Sequence, residues 1–143
     1  KDYVLIANLK SGVDDKNYKD VEFGYVKFVY RVQATDDTNY VYLEKAKEAF
    51  AKINQLRKAQ GMKELTWSDD VYNSLSLPKA NQISRQYDST GFVARREEDA
   101  ATVANKWYNS GLRELLLDPN ATEGAVAAVV NGDGNYYWAY NYK

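Results

Sequence analysis

The side chains that could do chemistry in this chain are carboxylates or a Lys nucleophile, because the sequence contains no His and no Cys. These two absences exclude imidazole and thiolate metal ligands, cysteine nucleophiles, Ser-His-Asp triads and disulfides. Carboxylate oxygens can still hold calcium or magnesium, so a metal-dependent hydrolase or peptidase remains open. Such a site would be built from acidic residues in the second half of the chain: Asp88, Glu97, Glu98, Glu114 and Glu123.

The overall composition is that of one globular domain. The chain has 143 residues, of which 45% are hydrophobic and 27% are charged. Its net charge of −1 provides no positive field for a phosphate backbone, so we predict no nucleic-acid partner. No apolar run approaches the roughly 18 residues of a spanning helix, so we predict no membrane span. Because the chain begins at Lys1 without Met, we expect that any targeting segment has been removed.

The elements that must position these side chains fall into two parts. Residues 3–9 and 21–32 are rich in β-branched and aromatic residues, which predicts an N-terminal two-strand extension over residues 1–37. Residues 38–143 are predicted to form one compact unit. Its first helix covers 42–60, where apolar residues follow a three-four spacing and Gly61 ends the helix.

Further helices and a hairpin complete the compact unit. Ser68 is predicted to start a second helix, which Pro78 either kinks or follows with a new one. A third helix is predicted over about 97–109, with the charged run 95–99 as its solvated start, and a short turn follows at 112–117. Residues 124–130 and 135–142 read as a β-hairpin around the turn 131–134.

The last strand carries four aromatic rings on one face, at positions 136, 138, 140 and 142. One face of this strand must pack in the core. If the other face is exposed, Tyr137 with Tyr87 or Tyr108 would form an aromatic surface suited to sugars, peptides or a protein partner. The alternative is that these tyrosines lie at the edge of the core with their hydroxyls in water.

Four motifs in order make the chain similar to a known family. They are Asn54-x-x-Arg57-x-x-x-Gly61-x-x-x-Leu65-x-Trp67, then Trp107-x-x-Ser110, then Gly124-Ala125-Val126, and finally Tyr137-Trp138. Over residues 43–142 this pattern resembles the CAP domain of cysteine-rich secretory proteins, antigen 5 and pathogenesis-related proteins, in particular its bacterial members. The resemblance implies an α+β fold, a three-layer α-β-α sandwich with a small antiparallel sheet, in a secreted or cell-surface protein.

The resemblance also implies a cleft in which two histidines and acidic residues hold a divalent metal. One histidine is expected three residues after Ser110, where this chain has Arg113. The other is expected near the end of 83–91, where the chain offers the run 87–90. The segment 91–100 is too short for the family's Gly-Glu-Asn sequence, so the acidic ligand has no counterpart. Arg113 either occupies the former metal place and repels a cation, or is a solvated side chain beside Glu114.

These observations lead to one main prediction and two alternatives. We predict a non-catalytic binding module of an exported or cell-surface bacterial protein, with no metal or other cofactor and with a glycan, peptide or surface protein as partner. The alternatives are the carboxylate-only hydrolase and a structural spacer docked through its N-terminal strands. The predicted cleft residues are Arg113, Ser110, Tyr87, Asp88, Glu97, Glu98 and Tyr108. Structural roles are predicted for the residues of the family motif. Asn54 and Arg57 are expected to bind loop backbone, and Trp67, Trp107 and Trp138 to anchor the core. The remaining motif residues with a structural role are Gly61, Leu65 and Gly124.

Overall fold

The computed structural model describes residues 39–143 of the chain, which fold into helices on both sides of one sheet. The helices are α1 (Leu43–Ala59), α2 (Asp69–Val71), a π-helical stretch (Tyr72–Ser76), α3 (Leu77–Arg85), α4 (Ala100–Tyr108) and α5 (Arg113–Leu116). The strands are β1 (Tyr40–Val41), β2 (Thr66–Trp67), β3 (Phe92–Arg95), β4 (Glu123–Val130) and β5 (Tyr136–Tyr142). The strands predicted at 3–9 and 21–32 and the boundary near residue 37 lie outside the described residues.

The predicted hairpin forms the centre of the sheet. β4 and β5 pair antiparallel, and β3 adds to β5 antiparallel, so the strand order is β1-β4-β5-β3. β1 pairs antiparallel and β2 parallel with different ends of β4. In the hairpin turn the Asn131 side-chain oxygen accepts from the backbone N–H groups of Asp133 and Asn135, both at 3.0 Å. The short polar turn therefore sets the register of the two longest strands.

Helices cover both faces of this sheet, which confirms the three-layer sandwich. On one face α1 and α4 pack on Val126, Trp138 and Tyr140. On the other face the π-helical stretch and α3 pack on Ala127 and Tyr137. Tyr137 is thus buried under a helix, and the exposed aromatic strand face that would include it does not form. No helix within residues 39–143 is long and apolar enough to cross a membrane.

Two of the three predicted tryptophan anchors lie fully in the core, and the third does not. The indole N–H of Trp107 donates to the Val93 carbonyl at 3.1 Å, and that of Trp138 donates to the Glu97 carbonyl at 2.6 Å. Trp67 is only half-buried, and its N–H donates to the Asp69 carboxylate at 2.9 Å. Its position in the short strand β2 at the sheet margin leaves part of the ring in solvent.

The second helix begins as predicted but continues differently. The Ser68 hydroxyl accepts from the Val71 N–H at 3.1 Å and caps α2. Pro78 lies in the first turn of α3, and the π-helical stretch leads directly into that helix. Leu75 lies in the π-helical stretch and is exposed.

Two expectations around residues 91–109 are wrong. α4 begins at Ala100 rather than near Glu97, because the Asp99 carboxylate caps it by accepting from the Thr102 N–H at 2.9 Å. The segment before it is strand β3, which the sequence reading missed, and Arg95 ends that strand instead of starting a helix. The signal was a short apolar run, residues 92–94, after the turn residue Gly91, but the charged run beyond it suggested a helix start.

Asn54 and Arg57 hold loop backbone, as predicted. The Asn54 amide forms two hydrogen bonds with the Leu65 backbone, at 2.7 and 3.0 Å. Arg57 is completely buried, with 0% of its surface exposed. Its Nε donates to the Lys63 carbonyl at 2.9 Å, and its Nη1 donates to the Leu116 and Asp118 carbonyls at 2.9 and 3.0 Å. One guanidinium therefore joins α1 to two later segments of the chain.

We expect Arg57→Ala to lower the free energy of unfolding by about 3 kcal/mol or more, because three carbonyls lose a charged donor. Arg57→Lys should recover only part of this, since an ammonium cannot reproduce the planar fork. Lys58→Ala, at an exposed neighbouring position, is the control and should change stability by less than about 0.5 kcal/mol. Urea denaturation measures all three, and equal stabilities for Arg57→Ala and Lys58→Ala would contradict the prediction.

Gly124 is required for a close approach between the two central strands. A Cβ there would lie 2.8 Å from the Asn141 carbonyl oxygen, which is backbone and cannot move aside. We expect Gly124→Ala to cost about 1–3 kcal/mol of stability by overpacking. Gly132→Ala is the control, because a Cβ at that position has no neighbour within 4 Å. Thermal unfolding of both variants checks this, and a neutral Gly124→Ala would be the contrary result.

Candidate functional site

The seven predicted cleft residues lie in three separate groups. Tyr108, Ser110 and Arg113 lie at the carboxyl end of α4, Tyr87 and Asp88 lie in the loop between α3 and β3, and Glu97 and Glu98 lie before the amino end of α4. α4 has nine residues, so the first and third groups are about 13 Å apart along its axis. Within residues 39–143 no hydrogen bond or ion pair joins one group to another. Each group is instead bonded to its own neighbours, and the single cleft stays a prediction.

At the first group, Arg113 turns back onto α4. Its Nε donates to the Tyr108 carbonyl at 2.7 Å, and its Nη2 donates to the Asn109 side-chain oxygen at 3.2 Å. Its Cζ lies 4.1 Å from the centroid of the Tyr108 ring. A cation at the carboxyl end of a helix complements the helix dipole, so the side chain has a local capping role. Arg113 is exposed, as in the solvated alternative, although Tyr108 rather than Glu114 is its partner.

Ser110 has a comparable local role at the same helix end. Its hydroxyl donates to the Trp107 carbonyl at 2.7 Å and accepts from the Leu112 N–H at 3.1 Å. Both bonds satisfy backbone groups that the helix leaves unpaired where it ends. The Trp-x-x-Ser motif thus ends α4 and starts the turn into α5, and its hydroxyl is engaged in structure.

At the second group, Asp88 is held by a lysine. Its carboxylate lies 2.7 Å from the Lys79 ammonium and also accepts from the Gln82 amide at 3.2 Å and the Thr90 N–H at 2.8 Å. The hydrogen bond from Lys79, followed by those from Thr90, lowers the pKa of Asp88 far below its ordinary value. Sequence reading did not find Lys79, because nothing in the pattern of α3 indicates a partner nine residues away.

The third group is also tied to neighbouring backbone and lysines. The Glu97 carboxylate accepts from the Asp99 N–H at 3.2 Å and pairs with Lys106 at 3.4 Å, and the bond from Asp99 is the main cause that lowers the pKa of Glu97. The Glu98 carbonyl accepts from the Lys45 ammonium at 2.9 Å. These groups fix the loop that leads from β3 into α4.

The sequence matches the model of the family described as "CAP: Cysteine-rich secretory protein family" over residues 50–142. The chain belongs to the CAP family. No curated protein matches the chain. Among solved structures, the CAP domain is similar to an outer surface protein from Borrelia burgdorferi, with a TM-score of 0.54 and 15% identity over 72% of this chain and 97% of that one. This similarity concerns the fold.

A second solved structure similar to this CAP domain is a cysteine-rich secretory protein from Staphylococcus aureus subsp. aureus Mu50. The TM-score is 0.46 and the identity is 20%, over 70% of this chain. The match covers only 38% of the staphylococcal protein, so this chain spans well under half the length of that relative.

At the two positions where the family resemblance expects metal ligands, the residues present do not suit a divalent cation. A guanidinium has only donors and a permanent positive charge, so Arg113 cannot be a ligand. Asp88 carries a suitable oxygen, but an ammonium already occupies it. No three Asp or Glu residues come together in residues 39–143 in a way that could hold a metal, and this includes the five carboxylates considered for a hydrolase. We therefore derive no step that uses a metal.

The loop between α3 and β3 borders two cavities. One has a volume of about 240 Å³ and is lined by Tyr87, Arg95 and Arg96 among others, and the second, of about 320 Å³, is lined by Lys79, Thr90 and Phe92 among others. Arg95 and Arg96 are functional candidates that the sequence does not reveal, because the charged run 95–99 is typical of a solvated helix start.

The depressed pKa of Asp88 predicts a specific pH dependence. A carboxylate of this kind stabilises the fold above its ordinary pKa of about 4, and this contribution is lost as the pH falls through the lower pKa of the folded state. Lys79→Met should raise the pKa of Asp88 and reduce stability at neutral pH, and the difference from the parent should shrink as the pH falls below about 4. A carboxyl-carbon NMR titration measures the pKa. An ordinary Asp88 pKa in the parent protein would contradict the assignment.

Proposed function

We propose that this CAP domain is a non-catalytic binding module of an exported bacterial protein. The observation that carries the proposal is the state of Arg113, which occupies the place where the family resemblance expects a metal-binding histidine. Its guanidinium is fixed to the Tyr108 carbonyl and ring. A permanent cation held in this way repels a second cation and offers no lone pair for ligation.

The second expected place supports the same proposal. The run 87–90 contains one acidic side chain, Asp88, and the Lys79 ammonium neutralises it at 2.7 Å. A divalent ion would have to displace this ammonium and the hydrogen bonds from Gln82 and Thr90. Both places thus carry positive groups, where a metal site needs clustered negative or neutral donors.

Support for export comes from the family and from one neighbour in fold. The family is described as that of cysteine-rich secretory proteins, and the Borrelia neighbour is an outer surface protein. Both lead us to propose an extracellular or cell-surface location. A glycan, a peptide or another surface protein is the class of partner we propose for a domain in that location.

Metal titration tests the loss of metal chemistry. We expect no binding of zinc, calcium or magnesium at micromolar concentration by calorimetry. Arg113→His should gain less than about tenfold in zinc affinity, because no second imidazole exists to complete a site. The Arg113→Gln variant is the matched control, since it removes the same charge without adding a ligand.

Two results would overturn the proposal. Micromolar binding by the parent protein that Asp88→Asn or Glu97→Gln abolishes would assign a carboxylate metal site and favour a metal-dependent hydrolase. Strong zinc binding by Arg113→His, absent from Arg113→Gln, would show that the remaining ligands of a CAP metal site are in place.

A further inference from the structure

The smaller cavity beside the loop between α3 and β3 has several arginines among the described residues that line it. Its volume is about 240 Å³. Among the described residues that line it, three are arginines, Arg85, Arg95 and Arg96, and none is Asp or Glu. The chain as a whole has a net charge of −1, so this group of arginines is a local feature. A cavity of this kind raises the local concentration of anions.

The backbone brings Arg95 and Arg96 to the same cavity. Neighbouring residues of a strand point to opposite faces, so a continued strand β3 would separate the two side chains. Arg96 instead has a φ of 64°, in the left-handed region, and ends the strand there. Its N–H still donates to the Tyr136 carbonyl at 2.7 Å, which fixes the bend. Strain of this kind is often kept at functional sites.

The carboxylates nearest in sequence do not neutralise these two arginines. Asp88 pairs with Lys79, and Glu97 pairs with Lys106. Arg95 donates to the Asp88 carbonyl at 3.3 Å, and within the described residues neither Arg95 nor Arg96 forms an ion pair. The two guanidiniums therefore keep N–H groups that could donate hydrogen bonds to an anion in the cavity.

An aromatic ring stands beside the guanidiniums. Tyr87 is 77% exposed, and the Arg95 Cζ lies 4.4 Å from its ring centroid. The Arg95 guanidinium covers one face of the Tyr87 ring, and the rest of the Tyr87 side chain presents a large apolar surface to solvent. A ligand that combines an anionic group with an apolar face matches both features. The cavity is smaller than the roughly 300–1,000 Å³ of sites for drug-sized ligands, which favours a single small unit.

We propose that this cavity binds a sugar unit that carries a phosphate or carboxylate group. The anionic group binds to Arg95 and Arg96, whose planar guanidiniums match its oxygens, and the sugar ring lies on Tyr87. This inference rests on the proposed binding function and names its ligand class.

NMR titration of the whole chain with glucose 6-phosphate tests the inference, and glucose and inorganic phosphate are the separate halves of the probe. We expect shifts at residues 83–87 and 95–96, tighter binding of glucose 6-phosphate than of either half, and weaker binding at high salt. Glucuronic acid in a parallel titration decides between a phosphate and a carboxylate as the preferred group.

Variants separate the two parts of the site. Arg96→Gln should weaken glucose 6-phosphate binding about tenfold, whereas Lys58→Gln, the control with the same loss of charge, should leave it within about twofold. Tyr87→Ala should weaken the binding of glucose 6-phosphate but leave the binding of inorganic phosphate unchanged.

Three outcomes would overturn the inference: no shifts with glucose 6-phosphate or glucuronic acid up to about 10 mM at low salt, shifts that map elsewhere, or equal effects of Arg96→Gln and Lys58→Gln. The ligand class would then be wrong, while the non-catalytic binding function would still depend on the metal titration. Micromolar metal binding would instead overturn the proposed function itself, whatever the sugar titrations show.

Discussion

The buried guanidinium of Arg57 is the constraint on which the arrangement of layers depends. It makes directed hydrogen bonds to the Lys63, Leu116 and Asp118 carbonyls, which a methionine of similar size could not replace. The Asp118 carboxylate in turn accepts from the Tyr142 hydroxyl at 3.1 Å, so the same polar path runs from α1 through the segment after α5 to the last strand. These hydrogen bonds hold α1 in a fixed position relative to the sheet, and they also fix the loop that follows α5.

Coverage of both sheet faces decides where chemistry can occur. The central strands are buried on either side, and burial raises the pKa of Tyr140, so that this phenol stays neutral and acts as a packed ring. Reactive or binding groups are left to the loops at the sheet margin. There the Lys79 ammonium pairs with Asp88 and, with the hydrogen bonds from Thr90, keeps that carboxylate ionised.

Local signals in the sequence predicted a large part of this fold. The first helix, the Ser68 cap, the hairpin turn and the roles of Asn54 and Arg57 each depend on residues close in the chain or on a motif with fixed spacing. Strand β3 escaped prediction because its four residues gain their identity from pairing with β5, more than forty residues later. The site escaped for a related reason, since the partner of an exposed side chain is set by tertiary structure and leaves no periodic pattern.

Two arginine-tyrosine pairs show how far residue type alone falls short of function. Arg113 lies over Tyr108 and Arg95 lies over Tyr87 at similar distances, 4.1 and 4.4 Å. Arg113 directs its donors to a carbonyl and a side chain at the carboxyl end of α4, so its charge is used in capping. Arg95 makes one long hydrogen bond within the described residues and has a second guanidinium beside its cavity, because the backbone turns at Arg96. The difference between a cap and a binding group therefore arises from backbone geometry, which one left-handed residue changes.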